Sequence, residues 1–251
     1  MTKQKHALVT GGGSGVGADI ALKLAAEGML VTITGRRAEK LSLVADKHPN
    51  IYGMAADVAD YVQMQAMVKD AAIARGDFSI VVANAGMAES VPFHKMTSDQ
   101  WSKTLDINLS GVFNTYQVTL GSMKKAGWGR MIAIASTAGL KGYSYVSSYC
   151  AAKHGVIGLT KSLALEVAKT GITVNAICPG FTETPMLEKS IAKIMGETGM
   201  SIEEARAALS RGNPMNRFIQ PDEISDTVLW LCKNASSSIT GQAISISGGE
   251  I

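Results

Sequence analysis

Seven short runs rich in β-branched and apolar residues recur along the chain: HALVT, LVTIT, IYGMAAD, SIVVAN, RMIAIAS, ITVNAICPG and AISIS. Between them lie segments of helical periodicity at 16–27, 38–47, 60–75, 98–125, 147–169 and 222–232. Strand and helix in strict alternation leave one economical arrangement: a parallel sheet with right-handed crossovers and helices on both faces. SIVVAN is apolar almost throughout, as a strand covered on both sides must be. A doubly wound, seven-stranded α/β sheet is therefore expected, and 251 residues suit a single domain over 1–251.

One stretch departs from the alternation. Residues 181–214 hold two short helical patterns separated by GETGMS. That is too long for a simple connection, and long connections in compact domains are often functional, so it is read as a lid over a site.

Composition narrows the classes of function. The net charge of +3 comes from scattered Lys and Arg with only short pairs, Arg36-Arg37 and Lys124-Lys125, which is not a nucleic-acid footprint. No apolar run approaches the ~20 residues that span a bilayer. The start, MTKQKHALVT, has too short a hydrophobic core for a signal peptide, which makes a cytoplasmic protein the default. Cys150, Cys178 and Cys232 are odd in number and lack ligand spacing, so they read as small buried apolar residues. His6, His48, His94 and His154 show no paired spacing either, and no metal is expected.

The first strand ends in TGGGSGVG, Thr10 to Gly17, and runs straight into a helix. Glycines there let backbone N–H groups and a helix N-terminus approach a pyrophosphate, and the helix dipole favours its charge. Its place between the first strand and first helix makes it a dinucleotide signature rather than an isolated turn. The second strand ends in TITGRRAEK. Gly35 stands where a carboxylate would bond the adenosine ribose, and Arg36 and Arg37 follow as planar donors suited to a 2′-phosphate. NADP(H) is favoured, with NAD(H) as the alternative.

TGGGSGVG, NAG at Asn84 to Gly86, Asn108, Ser136, YCAAK at Tyr149 to Lys153, and PGFTET at Pro179 to Thr184 stand in the order of the short-chain dehydrogenase/reductase family, and the resemblance covers essentially the whole chain. It implies a Rossmann-like fold and a set of roles. Tyr149 would be the general acid for carbonyl reduction, and base for alcohol oxidation. Lys153 would favour its phenolate, together with the oxidised nicotinamide, and bond the nicotinamide ribose. Ser136 would hydrogen-bond the substrate oxygen, and Asn108 would hold a water linking Lys153 to solvent. The cofactor would lie along Gly11, Ser14, Gly15, Val16 and Gly17, reach Arg36 and Arg37, place its adenine against Asp57 and Val58, pass Asn84, Ala85 and Gly86, and present its carboxamide to Pro179, Gly180, Thr182 and Thr184. Each residue alone also has a structural reading: Tyr149 as a packed helix residue, Ser136 as a strand-end cap, Asn108 as a helix irregularity. Cys150 matches no motif position.

Met87, Val91, Phe93, Leu140, Tyr143, Tyr145, Val146 and Met186 flank the catalytic positions, and Met195, Met200 and Met215 lie in or just beyond the lid, which suggests a mainly apolar pocket. Two branches of the family are similar. KHGVIGLTKSLALEVAKTGITVNAICPGFTETPM is like the ketoreductases of polyketide and fatty-acid synthesis, which act on β-ketoacyl thioesters. GWGRMIAIAS, ITVNAICPG and the long lid are also like NAD-dependent 3-hydroxybutyrate dehydrogenases. Ala88 and Val146 occupy two places where that second branch puts polar or cationic anchors. A free carboxylate buried without a partner is costly, so the sequence favours a neutral ketone or a 3-oxoacyl thioester. A nucleotide-sensing scaffold on the same fold is the non-enzymatic alternative. The resemblance also implies a homo-oligomer, tetramer or dimer, pairing through 98–125 and 147–169.

Overall fold

The computed structural model describes residues 4–251. Residues 1–3, part of the opening stretch read above as no signal peptide, lie outside the described residues. The strands are β1 (His6–Thr10), β2 (Leu30–Gly35), β3 (Ile51–Ala55), β4 (Ile80–Ala83), β5 (Gly129–Ile134), β6 (Ile172–Pro179) and β7 (Ala243–Ile246). They form one sheet in the order β3-β2-β1-β4-β5-β6-β7, and every pairing is parallel. This is the doubly wound arrangement, with its reversal of direction between β1 and β4, and a crevice opens there beyond the carboxyl ends of the strands.

The helices are α1 (Gly15–Ala26), α2 (Ala38–Ala45), α3 (Tyr61–Arg75), α4 (Ser98–Leu105), α5 (Gly111–Ala126), α6 (Ser147–Val167), α7 (Pro185–Thr198), α8 (Ile202–Ser210) and α9 (Pro221–Leu231). Alternate residues of each central strand serve opposite faces, as the pleat requires. Leu8, Val81, Met131 and Ala133 join the core under α3, α5 and α6. Ala7, Val9, Ile80, Val82, Ile132 and Ile134 join the core under α1 and α9. Both sets are buried, which is why these strands carry almost no polar residues.

The periodicity at 98–125 predicts one long helix, and here the structure differs. Asp106–Ser110 is a π-helical turn between α4 and α5. Such a turn adds a residue to the helical repeat without breaking the chain's direction. Gly111 permits it: a Cβ at that position would come within 2.8 Å of Val58 Cγ2. Between β6 and α9, α7 and α8 pack their own small cluster of Leu187, Ile191, Ala205 and Phe218, which Met195 joins. Each helix has a capping side chain, Thr184 for α7 and Ser201 for α8. Cys178 and Cys232 are buried as expected, but Cys150 is only half-buried because it lies on the outward side of the first turn of α6. Among the described residues, no helix is long and apolar enough to cross a membrane.

One buried group gives the fold a pH dependence. His6, 1% exposed, stacks on Phe78 at 4.0 Å between ring centres. Its Nδ1 lies 2.7 Å from the Gly76 carbonyl, which can only accept, so Nδ1 carries the proton and Nε2 accepts from Thr32 Oγ1 at 2.8 Å. Burial pushes the imidazole down to about 4, the Arg75 charge adds to this, and the Gly76 carbonyl opposes it. Between about 4 and 6.5 the unfolded chain binds a proton that the folded chain refuses, so stability is full above that window and falls as pH drops through it. Denaturant melts should show wild type losing more stability than His6→Leu across these pH values, by up to about 3 kcal/mol. Parallel pH curves for the two proteins would contradict the assignment.

Candidate active site

The glycine turn leads out of β1 at the crevice. Gly11 and Gly15 adopt left-handed backbone, with φ of 67° and 53°. Gly17 faces Asn84 so closely that a Cβ would come 2.4 Å from Asn84 Nδ2 and 2.5 Å from the Gly11 carbonyl. Ser14 is the N-cap of α1, yet its side chain makes no capping hydrogen bond. The first amides of the helix, at Gly15, Val16 and Gly17, are thus left without a side-chain partner, which is the donor set that a pyrophosphate needs.

Asn84 lies beneath this turn rather than across from it. Its amide donates to the carbonyls of Thr10 at 2.9 Å and Gly11 at 3.4 Å. The backbone N–H groups of Asn84 and Ala85 both donate to Thr10 Oγ1 at 3.0 Å. These bonds fasten the ends of β1 and β4 together at the reversal point. The Asn84 side-chain donors are thus spent on the turn itself.

Arg36 and Arg37 are exposed at the end of β2, and Arg36 Nη1 lies 4.0 Å from Asp57 Oδ2. A cavity of about 380 Å³ opens beside them, lined by Arg36, Asp57, Ala59, Asp99, Ser102, Lys103, Asp106 and Ile107. The Val58 side chain is 5% exposed and packs into the core against Gly111, which leaves its backbone as the part able to meet an adenine. Much of the cavity wall comes from α4 and the π turn. Positions 99, 102, 103 and 106 follow the i, i+3, i+4 rule of one helical face, a spacing that could have revealed them.

At the ends of β5 and β6 the other expected residues converge. Ser136 starts a single 3-10 turn at 137–139, and its hydroxyl accepts from Ala138 N–H at 3.1 Å. That turn rests on α6, since a Cβ on Gly139 would lie 2.7 Å from the Lys153 carbonyl. Contact between this turn and the helix brings Ser136, Tyr149 and Lys153 together. Lys153 is 3% exposed; its ammonium donates to the Ile134 carbonyl at 2.8 Å and lies 5.5 Å from the centre of the Tyr149 ring. Burial pushes Lys153 down to about 8.

Tyr149 is pushed up to about 12, chiefly by burial, while the Ser136 hydroxyl facing it pulls the other way. In the nucleotide-free protein the phenol therefore stays above its ordinary value, whereas the expected lowering combines Lys153 with the oxidised nicotinamide. The amine is directed at the strand carbonyl, and desolvation of the phenolate outweighs its influence. Asn108 is fully buried in the π turn, with its amide donating to the carbonyls of Met87 and Thr104, both at 2.9 Å, and its Oδ1 accepting from Met87 N–H at 3.2 Å. It sits beside Gly86, where a Cβ would meet Asn108 Oδ1 at 2.8 Å and Lys153 Nζ at 3.8 Å.

Pro179 ends β6, and the loop after it is held on three sides. Gly180 N–H donates to the Ile246 carbonyl at 2.9 Å, Thr182 pairs with Ile219, and Thr184 caps α7. Thr184 Cγ2 would lie 3.3 Å from a Cβ on Gly15, so this loop abuts the glycine turn across the crevice. On the other side, Tyr145 holds φ at 68°, unusual for an aromatic residue, while its carbonyl accepts from Val91 N–H at 2.7 Å. Tyr145 is 63% exposed, and Phe93, Met186 and Met215 are exposed as well, whereas Met195 packs inside the α7–α8 pair.

A dinucleotide-binding sheet with serine, tyrosine and lysine gathered at its carboxyl edge is the architecture of a nicotinamide-dependent oxidoreductase. Residues 5–194 match the family model described as short chain dehydrogenase, and the chain belongs to that family. It is 36% identical to a D-beta-hydroxybutyrate dehydrogenase of Rhizobium meliloti, over 98% of each chain. It is equally 36% identical to a putative ketoacyl reductase of Streptomyces coelicolor, over 97% of this chain and 95% of that one. Among solved structures, an actinorhodin polyketide ketoreductase variant crystallised with NADPH superposes with a TM-score of 0.96 at 34% identity, covering 100% of this chain and 98% of the other.

Proposed function

We propose that this protein is an NADP(H)-dependent ketoreductase acting on a 3-oxoacyl thioester, with Tyr149 as its proton donor. The observation that carries the reading is the convergence of Ser136, Tyr149 and a buried Lys153 at the crevice edge, facing uncapped amides of α1. When bound, the nicotinamide supplies or accepts hydride. The chain's residues supply placement and the proton. Ser136 Oγ accepts from its own turn, which leaves its hydrogen for the substrate oxygen. Tyr149 is fully protonated near neutrality, the state needed in a donor to a carbonyl reduced at the neighbouring carbon. Lys153 spends one donor on Ile134 and keeps two, for the nicotinamide ribose and for the phenolate left after proton transfer. The Asn108 amide has no donor left, so it would hold the expected water through an oxygen.

NADP(H) is supported by Gly35 in place of a carboxylate, by the exposed Arg36 and Arg37, and by the NADPH of the actinorhodin ketoreductase. Gly11, Ser14, Gly15, Val16 and Gly17 would hold the pyrophosphate, and Pro179, Gly180, Thr182 and Thr184 the carboxamide. The thioester is supported by the charges around the mouth. Lys141, Lys193 and Arg206 each pair with a carboxylate of the chain itself, at 2.8, 3.7 and 2.7 Å. Ala88 and Val146 add no anchor for a free acid. The 3-hydroxy acid reading is kept as second because of the hydroxybutyrate dehydrogenase relatives. α7 and α8 act as the substrate lid in this proposal, leaning on the opposite loop through Lys193 Nζ and the Ser90 carbonyl. Phe113 and Leu165, exposed on α5 and α6, support a homo-oligomer paired through those helices.

Tyr149→Phe should lower kcat for NADPH-dependent reduction of a 3-oxoacyl thioester by about 10³-fold, with NADPH binding unchanged in a fluorescence titration. Retained turnover would remove Tyr149 as the donor. Arg36→Ala should weaken NADPH about 10- to 100-fold, the loss of one charge-assisted phosphate contact, and leave NADH untouched. Equal loss for both nucleotides would refute the 2′-phosphate assignment.

A further inference from the structure

The last residues of the chain are built into the site. After β7, Gly248 and Gly249 take left-handed backbone at φ 63° and 91° and turn the tail back on itself. Asn213, just after α8, lies so close that a Cβ on Gly248 would overlap its Oδ1 at 2.0 Å. The tail is wound tightly, with Glu250 N–H donating to the Ser247 carbonyl at 3.3 Å. This delivers the Glu250 side chain, 5% exposed, beneath the loop that carries Ser136.

The hydrogen bonds there have only one consistent direction. Glu250 Oε1 can only accept, so the Tyr143 hydroxyl at 2.7 Å donates to it, and the Lys141 ammonium donates at 2.8 Å. Having given its single hydrogen to Glu250, Tyr143 must accept from Thr137 Oγ1, also at 2.7 Å. A chain therefore runs from Thr137, the residue next to Ser136, through Tyr143 to the tail. The same carboxylate faces Gly180 and Gly212, where added Cβ atoms would lie 3.4 Å and 3.1 Å from its oxygens. The Tyr143 ring meets Phe181 edge-on, with centres 6.3 Å apart and planes at 81°. One carboxylate thus touches the Ser136 loop, the end of β6 and the exit from α8.

We propose that Glu250 is a positioning residue that fixes Tyr143, and through it the Tyr143–Phe181 wall, at the width that the acyl substrate requires. Burying a carboxylate there is not the cheapest way to fill space, since an apolar residue would need no Lys141. What the carboxylate adds is a directed acceptor that holds one phenol in one place. Burial keeps that phenol protonated, well above its ordinary range, so the donor is present throughout the working pH range. The proposal rests on the reading of Ser136 and Tyr149 as the reaction centre.

The test is steady-state kinetics with NADPH and a 3-oxoacyl thioester for wild type, Glu250→Ala, Glu250→Gln, Tyr143→Phe and the double variant Tyr143→Phe/Glu250→Ala. Wild-type turnover is the control that separates the two readings, because its failure would sink the proposed reaction and not the tail's role alone. Glu250→Ala should raise KM for the thioester about tenfold, with kcat and NADPH affinity near wild type. Glu250→Gln, which still accepts from Tyr143, should recover most of that loss. Tyr143→Phe should reproduce the rise, and the double variant should add nothing further. Should Glu250→Ala fail to fold, the Tyr143→Phe result decides. An unchanged KM in Tyr143→Phe, additive effects in the double variant, or equal losses in KM, kcat and NADPH binding would overturn the proposal.

Discussion

The contact on which the site depends is the hydrogen bond from the buried Lys153 ammonium on α6 to the Ile134 carbonyl at the end of β5. A desolvated charge has to find an acceptor, and a strand-end carbonyl is one of the few fixed acceptors at a sheet's edge. Anchored there, Lys153 sets the rotation of α6, and Tyr149 four residues earlier lies on the same face one turn away. Gly139 lets the 3-10 turn after Ser136 rest directly on the Lys153 backbone. Serine, tyrosine and lysine are thus set chiefly by helix-to-sheet packing, with the Ser136 hydroxyl facing Tyr149. The depressed Lys153 and raised Tyr149 follow from one cause, removal of both groups from water.

The cofactor crevice is built by a second economy. The reversal of strand order between β1 and β4 opens the sheet's carboxyl edge, and Thr10 and Asn84 close the gap beneath it by bonding the two strand ends. The glycine turn above is held by its underside and left bare on top, where α1 presents amides that Ser14 does not cap. Rigid below and unsatisfied above, the turn is organised before any nucleotide arrives, which is what lowers the ordering cost of binding.

Much of this was legible in the sequence because its signals are local. The central strands β1, β2, β4, β5 and β6 are buried on both faces and so are largely apolar, the partly buried edge strands β3 and β7 still stand out as short apolar runs, and the glycine turn, Tyr149 and Lys153 lie in short-range motifs. What escaped depends on geometry that a linear pattern does not encode. The π turn at Asp106–Ser110 adds one residue within an otherwise helical stretch, too small a phase change to show in its periodicity. It brings Ile107 and Asp106 to the cavity beside Arg36 and Asp57. Asn84 ties β4 to the glycine turn through partners, Thr10 and Gly11, more than seventy residues away. The upward push on the Tyr149 phenol in the nucleotide-free protein comes from burial, which motif spacing does not report. Glu250 carries no motif at all; its partner Tyr143 is 107 positions distant.

The most direct measurement is the titration of Lys153 itself, by NMR of protein labelled at the lysine ε-carbon, with Lys153→Met to assign the signal. A desolvated ammonium docked on the Ile134 carbonyl predicts a midpoint near 8 in the nucleotide-free protein. A midpoint at the ordinary lysine value of 10.5 would mean that the amine sits in water, and the arrangement of Ser136, Tyr149 and Lys153 described above would not hold.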